Sequence, residues 1–136
     1  MSVSFRRLPA ADLPAALAIE LASYPADEAA SAASLKYRVD NAGGAFIGMY
    51  EASGALAGFV CGTCTSDRQL GEETMSEHDA SAAATTLCVH SVVVREDLRR
   101  RGICTGAEVK ALVRRREASE YKINSRQPSR ADFLAA

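Results

Sequence analysis

The chain has no tryptophan, and Phe and Tyr together make up only 6% of its 136 residues. So few ring faces argue against a surface that stacks unpaired bases, a common way for a small domain to hold single-stranded nucleic acid. There is no excess of positive charge either: 16 Lys and Arg stand against 17 Asp and Glu, leaving −1 at neutral pH. Duplex nucleic acid, gripped mainly by neutralising phosphates, is therefore disfavoured as a partner. No apolar run approaches the roughly 20 residues that a membrane-spanning helix needs. The opening MSVSFRRLPAADL also lacks the apolar core of a secretion signal. The expectation is a cytoplasmic protein with neither membrane nor nucleic acid as partner, and nothing in the pattern speaks to its oligomeric state.

Cysteine is scarce and unpaired in spacing. Cys61, Cys64, Cys88 and Cys104 occur in a chain large enough to bury a core without disulfides, so reduced thiols are expected. Cys61 and Cys64 form a C-x-x-C, but on a regular strand residues three apart point to opposite faces. His78, Cys88 and His90 supply no second paired spacing. No metal site is expected.

What is present is an ordinary globular balance, 48% hydrophobic and 24% charged, enough for one core. The charge is unevenly placed. Residues 1–90 carry 5 Lys and Arg against 11 Asp and Glu, whereas residues 91–136 carry 11 against 6. A basic C-terminal third on an acidic body points to an anionic ligand.

Weak alternation over residues 3–8 predicts a first strand. A helix follows, with Asp12 as its cap and Leu13, Leu17 and Leu21 on one face. Tyr24-Pro25 ends it, and Asp27 and Glu28 then open a second, alanine-rich helix reaching about Arg38. Residues 45–51 and 55–64 are apolar segments around Ala52-Ser53-Gly54, the pattern of an antiparallel hairpin. Residues 65–84 are polar, with either an irregular loop or a helical turn at 72–77 expected. Residues 85–94 form the strongest strand pattern, apolar on both faces. A helix is expected from Thr105 to about Glu117, burying Val109, Leu112 and Val113. The order β-α-α-β-β-β-α specifies an α+β, or mixed α/β, domain.

The most informative stretch is residues 85–106, TTLCVHSVVVREDLRRRGICTG. A buried strand, a turn and a glycine-marked helix entrance make an anion site, because the first N–H groups of a helix lack partners and the peptide dipoles add positive charge there. Arg99, Arg100 and Arg101 are unfavourable to the helix itself at that end, which makes sense if an anion sits among them.

At Arg99-Arg100-Arg101-Gly102-Ile103-Cys104 the chain resembles the acetyl-CoA-binding motif of the GNAT acetyltransferases, Gln/Arg-x-x-Gly-x-Gly/Ala, and the element order is similar too. Residues 87–94, LCVHSVVV, with Glu73 and His78 upstream, look like the non-vertebrate arylalkylamine (serotonin) N-acetyltransferases. The resemblance implies an acyl-CoA N-acyltransferase fold, a central, mostly antiparallel sheet with flanking helices. It also implies acetyl transfer from acetyl-CoA to a small primary amine. Val92, Val93 and Val94 would pair with the pantetheine arm, and the segment Arg99, Arg100, Arg101, Gly102, Ile103, Cys104 and Thr105 would cradle the pyrophosphate. His90 would be the general base, since an imidazole accepts a proton near neutral pH. On an alternating strand it would share a face with Cys88, Val92 and Val94, where the plainer reading is a packed core histidine.

Two departures stand out. Cys104 replaces the motif's final small residue, and no strand pattern follows Glu117 where the family has further strands and a proton-donating tyrosine. The expected domain therefore spans residues 1–119, missing the C-terminal strands, with an irregular tail over 120–136. A catalytically inactive copy, or a small module binding a polyanion or a protein, are the competing readings.

Overall fold

The computed structural model describes residues 3–66, 77–81, 84 and 86–101, together with the backbone of 120–123. Strand β1 (Val3–Arg7) leads through a short 3-10 turn into helix α1 (Leu13–Ser23), followed by α2 (Ala32–Asn41). Strands β2 (Phe46–Glu51), β3 (Leu56–Thr65), β4 (Thr86–Val94) and β5 (Glu120–Ile123) complete a five-stranded sheet in the order β1-β2-β3-β4-β5. Each neighbouring pair among the first four strands is antiparallel, and β5 lies parallel to β4.

The β2–β3 hairpin forms where the apolar pattern placed it. Gly54 takes φ +91, a left-handed conformation a side chain would resist, and its N–H closes the turn onto the Glu51 carbonyl at 2.9 Å. β4 is rich in Val and is buried along nearly its whole length, as a central strand should be. The helices cover one face of the sheet. There Leu8, Ala16, Ile19, Leu35, Val39, Phe46, Phe59, Cys61 and Val93 pack together, with the Phe46 and Phe59 rings 5.3 Å apart.

Three expectations need correction. Helix α1 buries Ala16, Ile19 and Glu20, and Leu13 and Leu17 pack partly buried against the core, whereas Leu21, expected on the same face, is 57% exposed. Asp12 occupies the cap position without capping, because its carboxylate accepts the Tyr50 hydroxyl at 2.6 Å instead. Helix α2 starts at Ala32, where the Ser31 Oγ accepts the Ser34 N–H at 3.1 Å, so Asp27 and Glu28 lie in the preceding turn.

β5 is a further departure from expectation. Glu120, Tyr121, Lys122 and Ile123 pair with Thr86, Leu87, Cys88 and Val89, so a strand does follow the expected helix, inside the stretch expected to be an irregular tail. The helical turn expected at 72–77 and the helix at 105–117 lie outside the described residues, save for Glu77, which is not helical.

Candidate functional site

The register between β3 and β4 slips at one point. Cys61 faces Ser91 but Gly62 faces Val89, so His90 is an extra residue in β4, a β-bulge. A bulge breaks the two-residue alternation. Cys88 stands opposite Thr63, and Ser91 and Val93 opposite Cys61 and Phe59, all toward the helices; Val92 and Val94 stand opposite Val60 and Gly58. His90 reaches Thr63, its Nε2 lying 2.8 Å from Thr63 Oγ1. The expected shared face is thus corrected: His90 sides with Cys88, Ser91 and Val93, and Val92 and Val94 turn away.

His90 is 2% exposed. Burial, reinforced by the positive charge of Arg38, pushes its pKa down to about 3, so the ring is neutral across the physiological range. Beside it Ser91 donates its hydroxyl to Glu20 Oε1 at 2.8 Å, and Glu20 Oε2 accepts the Ala30 N–H at 2.9 Å. Glu20 is 1% exposed, and burial raises its pKa against the opposing hydrogen bonds from Ala30 and Ser91 and the charge of Arg38. Arg38 itself donates to Cys61 Sγ at 3.7 Å. The bulge therefore sits on a buried polar cluster contributed by α1, α2, β3 and β4.

β5 pairs with β4 only through Val89, one residue before the bulge. Among the described residues, the β4 edge over 91–94 has no strand beside it on that side. Beyond it the chain makes a 3-10 turn, Glu96–Leu98, and enters the arginine run. Arg99 is already engaged, its Nε donating to the Val94 carbonyl and its Nη2 to Ser23 Oγ, each at 2.9 Å. Arg100 and Arg101 are exposed, and Arg100 has φ +61, a left-handed conformation that costs a non-glycine residue about 1–2 kcal/mol. Gly102, Ile103, Cys104 and Thr105 lie outside the described residues. On the α1 side of this turn a cavity of about 620 Å³ is lined by Ala18, Ile19, Ala22, Ser23 and residues 95–97.

The remaining candidates have structural partners. His78 is half-buried, its Nδ1 accepting the Cys64 N–H and its own N–H donating to the Tyr37 hydroxyl, both at 3.0 Å, so it fastens the chain after β3 to α2. β3 runs through both Cys61 and Cys64, which places them on opposite faces. Sequence reasoning missed Glu20. The signal was available: one carboxylate inside the otherwise apolar helix LPAALAIELAS, where an ionisable residue must find partners.

Comparison with curated protein sequences finds no match. A family profile for U3 small nucleolar RNA-associated protein 6 matches residues 91–136, about a third of the chain. Solved structures match far more of it. A GNAT-like decarboxylase, GphF, in complex with isobutyryl-CoA, superposes with a TM-score of 0.68 at 22% identity over 83% of this chain; the chain spans 58% of the length of that protein. Ard1 from Thermoplasma volcanium gives 0.67 at 17% identity, over 99% of this chain and 80% of its own. A GNAT-superfamily phosphinothricin acetyltransferase from Sinorhizobium meliloti, in complex with AcCoA, gives 0.63 at 18%, over 99% and 73%. Identities this low speak to architecture alone, and together with the sheet order, the helical face and the bulged β4 they give one answer: the chain has the GNAT acyltransferase fold.

Proposed function

We propose that the protein is an acetyl-CoA-dependent N-acetyltransferase whose acceptor is a small primary amine, an arylalkylamine in the narrower reading. The observation that carries this is the β4 edge, which among the described residues has no strand beside it from the bulge onward and is followed, after the Glu96–Leu98 turn, by the arginine run. An edge of this kind offers backbone N–H and C=O groups to an extended ligand, as a strand would. The amide-bearing pantetheine arm of acetyl-CoA is such a ligand, and its pyrophosphate would reach the turn where Arg100 and Arg101 are exposed.

In this scheme residues Val92, Val93 and Val94 hold the thioester by backbone contacts. Arg100, Arg101 and the segment Gly102, Ile103, Cys104 and Thr105 take the phosphates. Arg99 acts differently, bracing the turn against Val94 and Ser23. Catalysis is chiefly positioning: the substrate ammonium gives up a proton through His90, the free amine attacks the thioester carbonyl, and the carbon–sulfur bond breaks as CoA leaves as a thiolate that takes up the proton lost by the new amide nitrogen. With a pKa of about 3 the imidazole is neutral at physiological pH and too weak a base to hold that proton, so its role would be to relay it, with Thr63 Oγ1 the hydrogen-bond partner of its Nε2.

The test is thiol release from acetyl-CoA with tryptamine- and phenylethylamine-like amines. Release that disappears in His90→Gln supports the full reading. Acetyl-CoA binding without release would favour an inactive copy. A second reading is favoured by the basic character of residues 91–136 and their match to an RNA-associated family: binding of a polyanion such as RNA. Affinity for RNA that falls steeply with salt, with no binding of acetyl-CoA, would select it.

A further inference from the structure

We propose that Glu20 is a positioning residue that couples the loop between α1 and α2 to the β4 bulge, so that the helix layer and the strand edge hold one geometry. The proposal rests on the acetyltransferase reading above for its kinetic consequence, but the coupling itself is a property of the folded chain.

Both carboxylate oxygens of Glu20 are committed, and to different elements. One accepts the Ala30 N–H in the loop, and the other accepts the hydroxyl of Ser91, the residue immediately after the bulged His90. Ala30 also packs against the main core. The loop is a tight turn, in which the N–H groups of Glu28 and Ala29 both donate to the Pro25 carbonyl at 2.9 Å, and it leads directly to the Ser31 cap of α2. A bulge leaves its extra residue outside the ladder pairing, so a contact from another element can help to hold its arrangement. Glu20 supplies it from the helix layer, at 1% exposure, where water cannot substitute for the lost bonds. Arg38 stands near enough to Glu20 to favour its ionised form and donates to Cys61, the partner of Ser91 across the sheet. Buried Glu20, Ser91 and Cys61, joined by half-buried Arg38, make one connected unit beneath the strand edge where the thioester would lie.

Glu20→Gln, Glu20→Ala and Ser91→Ala separate geometry from charge. Glutamine keeps a carbonyl acceptor for Ala30 and an amide donor that Ser91 Oγ can accept; alanine removes both contacts. Glu20→Ala should lower kcat about 100-fold, as expected when reacting groups shift by about 1 Å. The KM for acetyl-CoA should change by no more than about twofold, and Glu20→Gln should recover most of the lost kcat. Unchanged kcat in Glu20→Ala, or a Glu20→Gln as impaired as Glu20→Ala, would overturn the proposal. If Glu20→Ala does not fold, Ser91→Ala replaces it, with a smaller fall in kcat expected and no fall counting against the coupling.

Amide hydrogen exchange gives a readout independent of turnover. Glu20→Ala or Ser91→Ala should accelerate exchange at the Ala30 N–H and over residues 90–92 together, whereas acceleration at only one of the two would refute coupling. A wild-type protein that neither binds acetyl-CoA nor releases thiol would overturn the acetyltransferase reading instead, and exchange would still decide whether Glu20 joins loop and bulge.

Discussion

His90 links stability to pH because folding lowers its pKa to about 3, against about 6.5 in the unfolded chain. Between those values the unfolded chain binds a proton that the folded one refuses, so this contribution is complete above pH 6.5 and is lost as pH falls toward 3. Glu20 acts in the opposite sense. Its raised pKa means the folded form keeps a proton that the unfolded form has released, so its share of stability declines as pH rises above about 4.5. Urea midpoints at pH 7 and 4.5 should isolate the histidine: His90→Gln should lose up to about 2–3 kcal/mol less than wild type on acidification. An equal loss in both proteins would show that His90 is not the titrating group. Arg99 and Arg101 should also separate. Arg99→Ala removes hydrogen bonds to Val94 and Ser23, so it should lower stability by about 1–2 kcal/mol. Arg101→Ala should leave the urea midpoint unchanged and weaken acetyl-CoA binding about tenfold by calorimetry, the worth of one charge-assisted phosphate contact. The histidine was legible in the sequence as a residue, but its neutral state was not, since that depends on Arg38 and on burial supplied by other elements.

At the scale of elements, β3 and β4 approach so closely that side chains are excluded at two points. A Cβ on Gly62 would strike the Cys88 carbonyl oxygen, and one on Gly58 the Val93 carbonyl oxygen. Both obstacles are backbone, which cannot rotate aside. Gly62→Ala should therefore push β4 away from β3 near the bulge and destabilise the protein by about 1–3 kcal/mol, read as a lower urea midpoint. A midpoint equal to wild type would mean that the ladder yields freely there. The hairpin of β2 and β3 could be read from its apolar segments and the Ala52-Ser53-Gly54 turn, which act locally. The bulge could not. LCVHSVVV is buried on both faces, so no alternation of polar and apolar residues marks where the register slips. β5 was hidden for a related reason: EYKI is short and mostly polar, and it becomes a strand by pairing with the open edge of β4.

For the whole molecule, a ligand that binds only the folded state must stabilise it. Acetyl-CoA at 100 times its Kd should add about 2.7 kcal/mol, raising the melting temperature by roughly 5–15 °C, and raising salt should shrink the shift if Arg100 and Arg101 hold phosphates. No shift at millimolar acetyl-CoA would count against the site on the β4 edge. The sequence by itself determined the order of elements from β1 to β4, the central place of β4 and the arginine turn after it, because periodicity, turn residues and charge act over a few neighbours. Only the tertiary structure decided that α1 buries Glu20 and exposes Leu21, that His90 is the bulged residue facing Thr63, and that Arg99 is a brace. Those outcomes depend on contacts between residues as far apart as Glu20 and Ser91, which no local pattern encodes. The 85–106 segment raised the expectation of an anion site from its own residues, while the fold supplied the buried cluster beneath β4.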